Sequence, residues 1–327
     1  MAVLSTLLRA TAFKSPFLST LLPSIGLAYA IQATFALPAI LAQTDRYYDL
    51  SGSLTYLSCT LLSLYLPTLR ARHAASLVGA APPAYPSLLA SLGSKGGAGS
   101  WNWRQVALSA AVALWAARLG TFLFQRVLQE GQDSRFDEIK KSPIQFAGAF
   151  VAQATWVSLC LLPVLAVNSL PAAALAALPG YMAADVLGLG LFVGGLAFEA
   201  VADRQKSVWM REKKEKRHEE DFLTRGLWAK SRHPNYFGES TLWTGIAVAS
   251  GGVLASRVGL AGMGLAGVAW SPLAAVGMAA VSPAFVTFLV LKVSGVPLSE
   301  TKYDKRYGNR SDYQKWKRET PMFIPKL

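Results

Sequence analysis

Apolar residues gather along this chain in seven long blocks, at approximately Leu21–Ala42, Gly52–Leu69, Val106–Phe124, Ile144–Val167, Val186–Asp203, Tyr236–Ser256 and Leu273–Val293. Each approaches the roughly 20 residues that carry an α-helix across a bilayer core. The pattern predicts an all-α, polytopic transmembrane helix bundle of about seven spans. The second block is short. The sixth runs into a Gly/Ala-rich stretch, Gly251–Gly267, that suits either close helix packing or a loop, so six or eight spans also fit.

Lys and Arg placement sets the orientation. Ten fall between Arg204 and Arg232, and eight more between Lys302 and Lys326. With two spans between them, both segments share a side. The segment after the third block joins them, with Arg126, Arg135, Lys140 and Lys141, whereas residues 168–185 carry no Lys or Arg. Seven spans then put the C-terminus in the cytosol and the N-terminus opposite. The connection Arg70–Arg104 runs against the rule, with four cations on the outer side. Its Ser91–Ser100 patch and Pro82–Pro83 predict a flexible link. Arg9 and Lys14 precede an apolar run too long for a signal-peptide core, so it is read as a first span.

Composition agrees: 52% of residues are hydrophobic and 16% charged, against about a quarter charged in soluble domains. The net charge of +13 is concentrated beside apolar spans, which points to membrane lipids as partners and not to nucleic acid. Cys59 and Cys160 lie inside apolar blocks, and His73, His218 and His233 lack ligand spacing, so neither a disulfide framework nor a metal site is expected. Walker A, Rossmann and GxSxG patterns are missing from the sequence.

Ionisable residues inside spans cost about 2.5–3.5 kcal/mol at the bilayer centre and call for a reason. Glu199 and Asp203, four apart, share a helix face at the end of the fifth block. They suit a ligand, or snorkelling to Arg204 and Lys206. The densest polar stretch is Ser231–Glu239, SRHPNYFGE. Pro234 fits the first turn of a helix, which leaves Arg232 and His233 at its mouth, where an anion is welcome. Asn235 and Glu239 then share a face, with Tyr236 beside them. The plainer alternative is a capped interfacial helix with a tyrosine anchor. Ser299–Tyr307, SETKYDKRY, repeats polar groups at one-turn spacings; Glu300 and Tyr303 belong to it. It suits a site wall or a basic helix on lipid headgroups. Arg118 and Arg135 are further candidate phosphate contacts. Tyr313, Trp316 and Pro321–Pro325 predict a tail folded back on the bundle.

The run SRHPNYFGE, the later KVSGVPLSETKYDKRYGN and the closing YQKWKRETPMFIP resemble the steroid 5α-reductase C-terminal-domain superfamily, on its 3-oxo-5-alpha-steroid 4-dehydrogenase-like branch. The likeness covers residues 191–327, extends loosely through DSRFDEIKK (133–141) and is faint before residue 107. It implies N-terminal spans with a connection over residues 1–105 and a reductase-like membrane domain over 106–327. It implies an endoplasmic-reticulum enzyme that uses NADPH to reduce a conjugated double bond in a lipid or steroid-like substrate. Asn235 would bond the nicotinamide carboxamide, with Tyr236 and Glu239 as the candidate catalytic pair. Asp203 and Glu199 would face the ribose and adenosine portion. Arg232, His233 and Tyr303 would hold the diphosphate or adenine end, near Arg211 and Arg135. The residues that polarise a substrate ketone in such enzymes do not align; Asp49, Tyr56 and Tyr65 are the candidates.

Two other readings stand beside it. S-adenosylmethionine-dependent isoprenylcysteine and phospholipid methyltransferases share an Arg-His-Pro-x-Tyr-x-Gly element; the Asn235–Glu239 run and Ser294–Leu298 favour the reductase side. A non-catalytic lipid-binding protein on the same fold is the third.

Overall fold

A computed structural model describes residues 2–92, 95–97, 99–130 and 136–326. The order of elements is α1 (Ala2–Ala10), α2 (Pro16–Leu41), α3 (Tyr48–Leu77), α4 (Leu88–Ser91), β1 (Lys95–Gly97), β2 (Ser100–Asn102), α5 (Trp103–Glu130), α6 (Pro143–Ser169), α7 (Ala172–Ala176), α8 (Ala183–Lys214), α9 (Pro234–Leu254), α10 (Arg257–Gly262), α11 (Ser271–Phe288), α12 (Val296–Tyr307) and α13 (Ser311–Glu319). A π-helical turn, Leu289–Val293, joins α11 to α12. The antiparallel β1–β2 hairpin is the one departure from an all-helical chain among the described residues.

All seven predicted apolar blocks fall in helices: α2, α3, α5, α6, α8, α9, and α11 with its π-turn. Five helical runs are long and apolar enough to cross a membrane: Pro16–Leu41, Trp103–Leu128, Pro143–Ser169, Ala183–Lys214 and Ser271–Tyr307. The architecture is that of a helical integral membrane protein. Helix α3 (30 residues) and helix α9 (21 residues) have the length but less apolar composition.

The chain divides into two compact units, residues 1–185 with 249–281, and residues 186–248 with 282–327. In the first, α2, α3, α5 and α6 pack around buried aromatic and polar groups. Gln32 Nε2 donates to Thr55 Oγ1 at 2.8 Å, and Ser51 Oγ reaches Gln153 Oε1 at 3.2 Å. Asn168 Nδ2 donates to Ser63 Oγ at 2.9 Å and Ser109 Oγ at 3.2 Å. Such pairing is what lets polar side chains live inside a bundle that water does not enter.

Two of the four cations that ran against the orientation rule have a structural explanation. Arg104 is buried and grips Asp185 through Nη2 at 2.7 Å and Nε at 2.9 Å. Arg70 donates to the carbonyls of Leu8, Thr11 and Ser19, at 2.7, 2.8 and 2.9 Å. Both charges are spent on the protein, so neither reports a membrane side. The Gly251–Gly267 stretch does both things its composition allowed. A β-carbon on Gly252 would stand 2.4 Å from Ala184 Cβ, and Gly264 and Gly267 make turns at φ +76° and +82°.

Candidate functional site

Most of the predicted site residues lie in the second unit. Helices α8 and α9 touch there backbone to backbone. A β-carbon at Gly195 would stand 2.5 Å from Leu242 N; at Gly238, 2.7 Å from Glu199 N; at Gly245, 2.4 Å from Gly188 O. This approach sets Glu199 against Gly238, the residue before Glu239 and three after Asn235. Asp203 follows one turn along α8. Glu199 and Asp203 are buried, while Asn235, Tyr236 and Glu239 are half-buried.

Asn235 carries the most informative atom. Its Oδ1 is sealed from solvent and has no hydrogen-bond partner; the same holds for Ser240 Oγ five residues on. Buried acceptors without a donor are rare in native structures. An amide oxygen in this state is prepared to accept from an N–H group, as a carboxamide supplies.

At the mouth of α9 the arrangement is an ion-pair cluster centred on Glu300. Its Oε1 lies 3.2 Å from Arg232 Nε and 3.0 Å from His233 Nε2, and its Oε2 lies 3.1 Å from Lys317 Nζ. The Arg232 Nε contact is an ion pair without hydrogen-bond alignment. Arg232 also donates through Nη1 to Lys317 O at 2.7 Å. Burial pushes the His233 pKa down, against the pull of Glu300, so the ring is neutral at pH 7 and donates from Nε2. Burial opposes the charge on Lys317 too, but hydrogen bonds to Asp304 and Glu300 outweigh it and raise its pKa. His233 stacks on Tyr236, with centroids 5.6 Å apart and planes 13° apart. Tyr236 in turn packs where Gly295 has no side chain; a β-carbon there would be 2.8 Å from the ring.

The tail pairs with the same segment. Arg232 N donates to Pro321 O at 2.9 Å, Ser231 Oγ to Phe323 O at 2.8 Å, and Lys326 N to Lys230 O at 2.9 Å. The basic loop after α8 folds onto its own helix, where Trp228 Nε1 donates to Ala202 O at 3.0 Å and Leu227 N to Gln205 Oε1 at 2.9 Å. Asp221 clasps Lys213 at 3.1 Å and Arg310 at 2.5 Å, and these partners hold its pKa below the usual carboxylate range.

Not every candidate joins this cluster. Tyr303 is half-buried against the Phe222, Tyr307 and Tyr313 group. Arg211 is exposed on the last turns of α8. Arg135 lies outside the described residues. Arg118, Asp49, Tyr56 and Tyr65 belong to the first unit. There Tyr56 is buried edge-on to Trp115 at 5.0 Å, Tyr65 lies edge-on to Trp101 at 4.9 Å, and Asp49 pairs with Arg126 at 3.8 Å. Sequence reading passed over Glu300 as a hub and Lys317 altogether. The signal for Glu300 was its position, an acid two helical turns past the last apolar block; Lys317 had none. Among the described residues no cluster of His, Cys, Asp or Glu is arranged to hold a metal.

A helical membrane protein with a polar site built on the α8–α9 crossing is therefore the class of molecule at hand. Over residues 69–320 the chain matches the family described as "Protein of unknown function (DUF1295)", and it belongs to that family. No curated protein and no solved structure matches it.

Proposed function

We propose that this protein is a membrane-embedded, NADPH-dependent reductase of a conjugated double bond in a lipid or steroid-like substrate. The observation that carries the reading is the buried Asn235 Oδ1 that lacks a donor, within a stretch, SRHPNYFGE, that resembles steroid 5α-reductases. A nicotinamide carboxamide would supply that donor. Buried Glu199 and Asp203, on the neighbouring helix, suit ribose hydroxyls, which donate to carboxylates. When bound, NADPH supplies a hydride to the β-carbon of the conjugated system, and a proton completes the α-carbon. Asn235 would hold the carboxamide, with Tyr236 and Glu239 as the candidate catalytic pair beside it. Arg232, with Nε at Glu300 and Nη1 on Lys317 O, would offer its remaining Nη2 to a diphosphate oxygen.

Seven spans fit this reading better than five. Residues before α9 bond residues in or after α12: Asp221 to Arg310, His233 to Glu300, and Arg232 to Pro321. Two points that touch on one side of a membrane are separated by an even number of crossings. If α11 crosses, α9 crosses too. We read α3 as a span on its length, and the Lys/Arg-rich segments as cytosolic by the positive-inside rule. The resemblance points to the endoplasmic reticulum.

The test is thermal stability of the detergent-purified protein with NADPH or S-adenosylmethionine. Ligand at about 100 times its dissociation constant adds roughly 2.7 kcal/mol. NADPH is expected to stabilise the protein, and Asn235→Ala to remove most of the effect. Stabilisation by S-adenosylmethionine alone would replace the reductase with a methyltransferase. A response to neither cofactor would favour a lipid-binding role.

A further inference from the structure

Exposed side chains along the run from α11 to α12 are apolar apart from Lys292 and become cationic after Leu298. Phe288, Val293 and Leu298 are exposed at 55%, 52% and 50%. Lys302, Lys305 and Arg306 follow, all exposed. Leu298 and Lys302 are one helical turn apart, and Lys302, Lys305 and Arg306 share a face at i, i+3 and i+4. At 1.5 Å per residue, Leu298 and Lys305 are roughly 10 Å apart along the helix. That is close to the thickness of one headgroup layer, roughly 5–8 Å beyond the hydrocarbon core. With α12 set along the membrane normal, its cations arrive at phosphate depth when Leu298 ends in the hydrocarbon.

Helix α13 adds exposed Lys315 and Arg318. The acids nearby are engaged elsewhere. Asp304 holds Lys317 and the Tyr313 hydroxyl, Asp312 holds Arg310, and Glu300 faces Arg232, His233 and Lys317. Among the described residues none of Lys302, Lys305, Arg306, Lys315 and Arg318 forms an ion pair; Glu319 is the one exposed carboxylate of α12 and α13 outside such a pair. Five exposed cations outside any ion pair, against the single such carboxylate Glu319, give these two helices, continuous with a membrane-crossing run, a surface of net positive charge.

We propose that this surface of α12 and α13 binds the headgroups of anionic phospholipids. Long Lys and Arg stems lie along the apolar boundary and lift their charges to phosphate. Binding there steadies the two helices that present Glu300 and Lys317. The inference stands whether or not the protein reduces anything.

The full chain, purified in non-ionic detergent, is titrated with dioleoylphosphatidylglycerol or dioleoylphosphatidylcholine while its melting temperature is followed. Phosphatidylglycerol is expected to raise the melting temperature saturably, and phosphatidylcholine to leave it unchanged. Each Lys or Arg near an anionic surface contributes about five-fold in affinity, so Lys302→Gln with Lys305→Gln should weaken the response by roughly 30-fold. Equal responses to the two lipids, or an unchanged affinity in the paired variant, would overturn the proposal. Should that variant fail to fold, the wild type decides. Raising salt from about 0.1 M to about 0.5 M shortens the Debye length from roughly 10 Å to roughly 4 Å and should abolish the response. A response that survives the salt also overturns the proposal.

Discussion

Glu300 and His233 lie 3.0 Å apart at the mouth of α9, and their substitution separates architecture from chemistry. Glu300→Gln leaves Arg232 and Lys317 facing a neutral amide in a largely buried setting. Removing one partner of such a cluster costs about 3 kcal/mol. Denaturation of the variant should show that loss, together with easier proteolysis of the tail beyond Thr320. A melting temperature equal to the wild type's would mean that the tail is held by its backbone hydrogen bonds alone. His233 adds a pH dependence. Burial lowers its folded pKa below the unfolded value of about 6.5, so the unfolded state binds the proton more readily. Its contribution is complete above about pH 7 and is lost as pH falls through 6.5 toward the folded value. Thermal melts across that window should show a slope that flattens in His233→Gln. The placement of the candidate residues was legible because Pro234 fixes where α9 starts, so the spacing of Asn235, Tyr236 and Glu239 converts directly into faces. The partners of Arg232 were not. Glu300 and Lys317 are 68 and 85 positions away, and no local spacing reports a tertiary ion pair.

At the level of elements, the α8–α9 crossing depends on glycine. Gly238 meets the Glu199 backbone, where even a methyl group would intrude to 2.7 Å. Gly238→Ala should cost about 1–3 kcal/mol by overpacking. It should also weaken NADPH binding, because it pushes Glu199 away from the helix that carries Asn235 and Glu239. Gly190→Ala, on the same helix α8 with open space around its added carbon, is the control and should do neither. All seven long helices were legible in the sequence, since an apolar stretch of about twenty residues is long enough to dominate its own signal. The β1–β2 hairpin was not, being two three-residue strands in a Gly/Ser-rich stretch. The low hydropathy of α3 and α9 has an identifiable cause. In α3, Ser51, Thr55 and Ser63 bond carbonyls of their own helix, which shelters their hydroxyls. In α9, Asn235, Glu239 and Ser240 lower the average, and they are the candidate site itself.

For the whole molecule, the contacts between Arg232 and the tail require the basic loop and the tail to share one side of the membrane. Both native cysteines are buried, so single exposed cysteines report cleanly. Lys216→Cys and Lys315→Cys should react with an impermeant maleimide from the same face of sealed vesicles. Labelling from opposite faces would leave α9 uncrossed and contradict those contacts. Reductase chemistry itself is tested most directly by isotope transfer, which works on whatever substrate the membrane holds. Membranes that contain the protein are incubated with NADPH dideuterated at nicotinamide C4, and their lipid extract is examined by mass spectrometry. A lipid that gains two hydrogens, one of them deuterium, is expected with wild-type protein and not with Asn235→Ala. Deuterium confined to the cofactor, with a labelled methyl group from S-adenosylmethionine appearing in lipid instead, would contradict the reductase reading.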